Sequence, residues 1–211
     1  MQLISVNVGQ VQPIANAKQT GVTGIYKLPV QAPVQITING LANDAISDTR
    51  NHGGPDQAVY IYGQTDYQWW SIELGQELSP GTFGDNLTIS ELESSSFSIG
   101  DRLQIGEVML EVTAPRIPCV TLAARMGDPG FVKRFRFAER PGLYCRVIHT
   151  GWVQAGDTVI LEPYPQETVS ILEMFRDFYE PALTEAAIRR YLAAPIAIRS
   201  RQEKEEQLRN L

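Results

Sequence analysis

Cysteine, histidine and lysine are scarce in this chain. Among 211 residues there are two cysteines, two histidines and, of 18 basic residues, only Lys18, Lys27, Lys133 and Lys204 as lysines. Two cysteines make no disulfide framework, so a reducing cytoplasm is the expected setting; a single Cys119–Cys145 bridge is allowed but not demanded. A zinc centre needs three or four converging ligands. The soft donors are Cys119, Cys145, His52 and His149, with no CxxC or HxxxH spacing. Cys145 and His149 share a face if they lie on one strand, yet that strand separates them by roughly 13 Å. The spacing argues against zinc. No apolar run approaches the roughly 20 residues that span a bilayer, and the start of the chain alternates like a first strand, without a signal peptide's charged and then apolar layout. P-loop and Rossmann glycine patterns are missing too.

The net charge of −6 and pI near 5.0 lack the basic stripe of a nucleic-acid surface, and no nucleic-acid or membrane partner is expected. Most of the positive charge is arginine, including Arg50, Arg116, Arg134, Arg136, Arg140 and Arg146. Arginines near motif-rich segments suit a small anionic ligand, although solvated surface is the blander account of most of them.

Residues 1–110 read as β-rich, with Gly, Pro and Asn punctuating short strands. The runs 33–38, 58–62 and 108–113 alternate or concentrate apolar residues as strands do. Gly-Asp turns recur at Gly100-Asp101 and Gly156-Asp157. The expected fold is mainly β, a closed or nearly closed barrel over residues 1–163 with short helices. One helix is predicted to be capped by Thr65, to run through Leu74, and to turn Trp69 and Ile72 inward. Residues 128–140 read as a short helix or flap. After Pro163 and Pro165 the composition shifts, and residues 164–211 read as a three-helix segment. Its first helix is predicted to be capped by Thr168 with Val169, Leu172, Phe175 and Tyr179 on one stripe. Its second starts at Thr184, and its third carries Arg201–Glu205 and Glu205–Arg209 pairs. Three short helices bury little alone, so they should dock on the β domain or on a partner.

The chemistry concentrates at Pro115-Arg116-Ile117-Pro118-Cys119, where a strand ends. The prolines hold the backbone extended, and a thiol follows a guanidinium in the place where scaffolds present functional groups. Arg116 would favour the thiolate, a soft ligand suited to a metal that already carries sulfur. Arginines and glycine-loop amides could clamp phosphate. The same parts also suit a redox-active cysteine. A Cys119–His52 nucleophilic pair has only composition behind it. A pyridoxal Schiff base at Lys18 or Lys27 lacks the large α/β architecture that usually surrounds that cofactor.

Several ordered motifs occur together: Thr23-Gly24-Ile25-Tyr26-Lys27-x-Pro29-Val30, His52-Gly53-Gly54-Pro55-Asp56-x-Ala58-Val59-Tyr60, Phe83-Gly84-Asp85-Asn86-Leu87, Gly100-Asp101, Pro115-Arg116-x-Pro118-Cys119 and Gly142-x-Tyr144-x-Arg146-Val147. In this order the chain resembles the MOSC-domain proteins, named from the C-terminal part of molybdenum-cofactor sulfurase. It is most similar to the bacterial 6-N-hydroxylaminopurine reductase subgroup with a C-terminal three-helix appendage. It departs from the family's usual residues at Asn43, Gln57 and Asp85.

The resemblance implies a β-barrel that holds molybdopterin-bound molybdenum with Cys119 as the protein's metal ligand. It implies reduction of small N-hydroxylated substrates, N–OH to N–H, with electrons from a separate flavoprotein or similar reductase. Lys27, His52, Gly53, Gly54, Arg116 and the loop Phe83, Gly84, Asp85, Asn86 are the expected cofactor contacts. Asp44, Asp48 and His52 are the candidate proton donors. A cofactor or sulfur carrier without turnover is the alternative, and assembly as a homodimer is compatible with either.

Overall fold

The computed structural model describes residues 1–17, 21–45 and 53–211. Asp48 and His52 therefore lie outside the described residues, as do Lys18 and Arg50. The strands are β1 (Leu3–Gly9), β2 (Gln12–Pro13), β3 (Val22–Thr23), β4 (Lys27–Val30), β5 (Val34–Thr37), β6 (Gly40–Leu41), β7 (Val59–Gly63), β8 (Leu87–Ile89), β9 (Arg102–Ile105), β10 (Val108–Pro115), β11 (Leu143–His149), β12 (Gly151–Val153) and β13 (Val159–Glu162). The helices are α1 (Gln64–Leu74), α2 (Val120–Met126), α3 (Phe131–Ala138), α4 (Ile171–Asp177), α5 (Glu185–Ala193) and α6 (Ile198–Arg209). Helix and strand contribute about equally, so the expectation of a mainly β chain is corrected to a mixed one.

An eight-stranded sheet runs β13-β9-β10-β11-β7-β8-β1-β4, antiparallel except for the β7–β8 pair that α1 connects. The expected barrel does not close. The first residues lap over the β13 side through Leu3 N–H to Asp157 O (2.9 Å), Gly156 N–H to Leu3 O (2.8 Å) and Val159 N–H to Met1 O (3.0 Å). Ladder pairing at that seam amounts to one isolated bridge, Gln2–Thr158, because the chain turns there, with Gln154 N–H closing onto the Asp157 carboxylate at 2.8 Å.

Strand β10 is the longest, and from Leu110 to Pro115 it is buried on both faces rather than half-buried as its alternating sequence suggests. It pairs with β9 on one side and β11 on the other, with register shifts on the β11 side. Those bulges add local twist and bring Pro115 opposite Leu143 at the strand's end.

Helix α1 turns a different face inward than its apolar spacing predicts. Its N-cap is Gly63 rather than Thr65, and a Cβ at Gly63 would fall 1.9 Å from Leu92 O. Asp66, Tyr67 and Trp70 are buried, whereas Ile72 is 84 % exposed and Trp69 is half-buried. A polar pair decides the orientation: Asp66 accepts from Arg140 Nη1 (2.7 Å) and from Ser94 N–H (3.0 Å). Leaving that carboxylate buried without partners would cost more than burying one isoleucine would gain. Trp70 then donates to Tyr62 Oη at 2.8 Å and packs within about 6 Å of the Phe83, Phe131 and Phe135 rings.

The C-terminal helices form as a set of three and dock on the sheet. Thr168 does not cap the first. Its hydroxyl donates to Ile99 O (2.8 Å), and Ser170 caps α4 by accepting from Glu173 N–H (3.0 Å). The reason is that Val169 O accepts from Ile99 N–H and Ile171 N–H donates to Phe97 O, so this stretch pairs as a strand before the helix begins. Thr184 caps α5 as expected, accepting from Ala187 N–H. Arg201 donates to Leu192 O and Ala194 O, both at 2.8 Å, instead of reaching Glu205. Among the described residues no helix is long and apolar enough to cross a membrane.

The inverted face of α1 has a measurable consequence. Trp70→Ala should lower unfolding free energy by about 3–5 kcal/mol, whereas Ile72→Ser should change it by less than about 0.5 kcal/mol. Urea unfolding of both variants separates this orientation from the one the apolar spacing predicts.

Candidate functional site

Past Pro115 the chain leaves β10, and Cys119 becomes the residue before α2, with extended backbone (φ −130°, ψ 170°). Its carbonyl accepts from Leu122 N–H (3.0 Å) and Ala123 N–H (3.2 Å), which fixes the backbone that carries the thiol. Cys119 is half-buried, and Cys145 on β11 is fully buried. Burial pushes the Cys145 thiol well above the ordinary cysteine value, with the Glu111 charge adding to the rise. The two sulfurs have different fates, one at the edge of a site and one in the core.

Arg116 is only 5 % exposed. Its Nη1 donates to Phe83 O, and its guanidinium carbon lies 4.9 Å from the Tyr60 ring centre. Tyr60 and Tyr144 are cross-strand partners on β7 and β11 with rings 5.0 Å apart, so together they make one aromatic wall. Burial works against the guanidinium charge. Tyr60, Tyr144 and Cys119 work for it, and Arg116 stays protonated. Its Nε is buried with no hydrogen-bond partner among the described residues. The Nε atoms of Arg125 and Arg146 are likewise buried without a hydrogen-bond partner among the described residues.

The loop facing Arg116 is shaped by glycine. Gly84 has φ +75°, and a Cβ there would fall 2.8 Å from Ile25 Cγ1 and 3.6 Å from Arg116 Nη1. Phe83 is fully buried in the aromatic core and offers only its carbonyl to the site. Asp85 is also fully buried. Its carboxylate accepts from Tyr67 Oη (2.6 Å), Thr88 Oγ1 (2.7 Å) and Asn7 Nδ2 (3.2 Å). Burial raises its pKa, and the Tyr67, Thr88 and Gly81 hydrogen bonds pull it down. Asn86 accepts from Tyr60 N–H (3.1 Å) and donates to Asp44 Oδ2 (2.8 Å). Phe83, Asp85 and Asn86, expected to touch a ligand, are thus placed behind the surface as supports of the loop.

Lys27 forms an ion pair with Asp44, which also accepts from Gly9 N–H at 2.8 Å and from Asn86. These donors converge on Asp44, which the resemblance gave as one of three candidate proton donors. Burial lowers the Lys27 pKa, the Asp44 charge and hydrogen bond raise it, Asp85 adds to that rise, and Arg116 lowers it slightly. Lys27, Asp44, Phe83, Gly84, Asp85, Asn86 and Arg116 therefore belong to one connected cluster, with Cys119 coupled to it through Arg116. Gly53 and Gly54 both have φ +86°, and Gly54 has open space where a side chain would go. They lead into the 3-10 turn Pro55–Gln57, whose side-chain contacts run toward the C-terminal helices.

Motif reading passed over Tyr60 and Tyr144 as site walls, although both stood inside quoted motifs. It also passed over Arg125, whose guanidinium carbon lies 4.8 Å from the Tyr26 ring centre. Among the described residues, no three of His, Cys, Asp or Glu converge as a metal site. What the cluster offers is one soft donor beside a protonated, partly unmatched guanidinium.

The family model for the MOSC domain matches residues 48–160, a span that includes β7 to β12, Arg116 and Cys119. This chain belongs to the MOSC-domain family. It is 32 % identical over 191 residues to YflK of Bacillus subtilis, covering 90 % of this chain and 86 % of that protein. The crystal structure of YiiM from Geobacillus stearothermophilus superposes with a TM-score of 0.81 at 25 % identity over 98 % of both chains, so the likeness of this MOSC protein to YiiM extends through its C-terminal helices. A protein named reductase from Gibberella moniliformis is 32 % identical over 173 residues, which are 79 % of this chain but 30 % of that protein.

Two outcomes follow from the geometry. Iodoacetamide should alkylate Cys119 in the folded protein and leave Cys145 unmodified until denaturation; peptide mass mapping reads the difference, and equal labelling would contradict the placement of the sulfurs. Lys27→Met should cost about 3 kcal/mol at neutral pH by stripping Asp44 of its counter-charge. Because the folded-state pKa of Lys27 lies below 10.5, the unfolded chain holds the extra proton between the two values. Wild-type stability should therefore rise relative to Lys27→Met as pH climbs toward 10.5. Urea midpoints across the alkaline range would run parallel if the lysine were not destabilised by burial.

Proposed function

We propose that this MOSC-domain protein is an oxidoreductase that binds the molybdenum cofactor through Cys119 and reduces N-hydroxylated compounds. The observation behind this reading is the half-buried Cys119, whose sulfur interacts with the charge of the buried Arg116. The donor set fits the group. A thiolate is a soft ligand for a metal already bound by sulfur, and the protonated guanidinium and Lys27 ammonium suit an anionic organic carrier. MOSC membership and the reductase-named relative support a redox role.

In this reading Cys119 would hold the metal, and the nearby positive charge of Arg116 would favour the thiolate form of its sulfur. Gly84 lets that loop lie close enough for its backbone to contribute. The aromatic wall of Tyr60 and Tyr144 shields Arg116 from water and strengthens its electrostatic reach. The bound cofactor supplies the two electrons that cleave the N–O bond. The substrate's R–NHOH takes up those electrons and two protons to give R–NH2 and water, and Asp44, Asp48 or His52 delivers a proton to the departing oxygen. A separate reductase, a flavoprotein or one of similar chemistry, returns the electrons.

Protein purified from a host that makes the cofactor should contain stoichiometric molybdenum and pterin. Cys119→Ser should purify with a lower molybdenum content and release the metal faster. Anaerobic incubation with a chemical reductant should convert an N-hydroxylated base to the amine. Full loading without turnover would make the protein a carrier, and wild-type protein free of both metal and pterin would overturn the reading.

A further inference from the structure

Asp56 stands in the glycine motif, and its contacts run to the opposite end of the chain. Its Oδ2 accepts from Ile198 N–H at 2.6 Å, across 142 residues. Its Oδ1 pairs with Arg146 Nη2 at 2.9 Å. Helix α6 begins at Ile198, and its own N-cap residue is Ala197, which has no side-chain oxygen to offer. A helix start without Ser, Thr, Asp or Asn leaves amide protons unmatched. Asp56 supplies the missing acceptor from a distant loop.

The same residues fasten the α5–α6 junction to the sheet. Arg146 Nη2 also donates to Pro195 O (3.2 Å) and Ile196 O (3.1 Å). Ala197 N–H donates to Thr113 O at 3.2 Å. Thr113 Oγ1 in turn lies 2.6 Å from Asp56 O and 3.1 Å from Tyr144 O. Thr113 is two residues before Pro115, on the strand that ends in Arg116 and Cys119, and Tyr144 is part of the wall around Arg116. Ala194, Ile196 and Ala197 are buried, so the junction is wedged against the sheet.

We infer that the C-terminal helices act on the cofactor site through Asp56: the α5–α6 junction pins the Gly53–Gln57 turn to the stretch of β10 and β11 that presents Arg116 and Cys119. Asp56 is a positioning residue, and the three-helix segment is part of the site's construction rather than an attached module. The link to a cofactor rests on the function proposed above, whereas the clamp itself rests on the contacts alone.

Amide exchange read by mass spectrometry on cofactor-free protein, together with the rate of molybdenum and pterin loss from loaded protein, tests the clamp. Three variants are compared. Asp56→Ala removes both contacts. Asp56→Asn keeps an acceptor for Ile198 N–H and loses the ion pair. Lys204→Met breaks the buried Lys204–Asp177 pair between α6 and α4, loosening the helices away from the turn. Asp56→Ala should speed exchange roughly tenfold over residues 53–60 and 195–200, in line with the loss of a helix cap, and should speed cofactor loss. Asp56→Asn should fall between it and wild type. Lys204→Met should speed exchange in the helices while the turn stays protected and the cofactor stays bound. If Lys204→Met frees the turn as much as Asp56→Ala does, or if Asp56→Ala leaves the turn protected, the inference is overturned. If wild type binds no cofactor while Asp56→Ala still frees the turn, the clamp stands and only the proposed function fails.

Discussion

The buried guanidinium of Arg116 is the constraint around which the site is built. A cation removed from water is costly unless its protons find acceptors and its charge finds a polarisable surface. The chain meets that demand with the Phe83 carbonyl on one side and the Tyr60 ring on the other. Each solution imposes another. The carbonyl is reachable because Gly84 has no side chain to collide with Ile25. The Phe83 loop holds its path because Asp85, beneath it, gathers donors from Tyr67, Thr88 and Asn7. Tyr60 is placed by pairing with Tyr144 across β7 and β11. Sequence, loop shape and sheet register converge on one charge, with the Cys119 thiol next to it.

A second buried cation, Lys27, repeats the logic with a different solution. It is neutralised by Asp44, whose remaining acceptor capacity is taken by Gly9 N–H and Asn86. This network ties the N-terminal strand, the segment after β6 and the Phe83–Asn86 loop into one unit. The motif residues thus divide into a small group able to face a ligand and a larger group that holds it in place. Both groups recur in a sequence pattern for the same reason: moving a support by an ångström moves the ligand contact by as much.

How much of this was legible in the chain follows the range of the forces. The alternation of 108–113 announced β10, the bracketed Arg116 and Cys119 announced the site, and the prolines after Glu162 announced the helical segment. Thr184 was readable as a cap because its partner is three residues away. What escaped were arrangements decided by distant partners. Trp70 points inward because Asp66 meets Arg140, 74 residues on. The Thr168 hydroxyl donates to Ile99 O, 69 residues back, while its neighbour Val169 pairs with the Ile99 backbone. The sheet stays open because the turn at Asp157 occupies its seam. Asp56 caps a helix that starts 142 residues away. Local patterns carry propensity and period; they do not carry the identity of a long-range partner.

The central claim is that Cys119 contributes its sulfur to the coordination of a molybdenum ion that arrives with an organic anion. X-ray absorption at the molybdenum edge on loaded wild type and on Cys119→Ser reconstituted with the same cofactor addresses that bond directly. The account predicts one fewer sulfur neighbour around molybdenum in the variant. The same sulfur count in both proteins would contradict it.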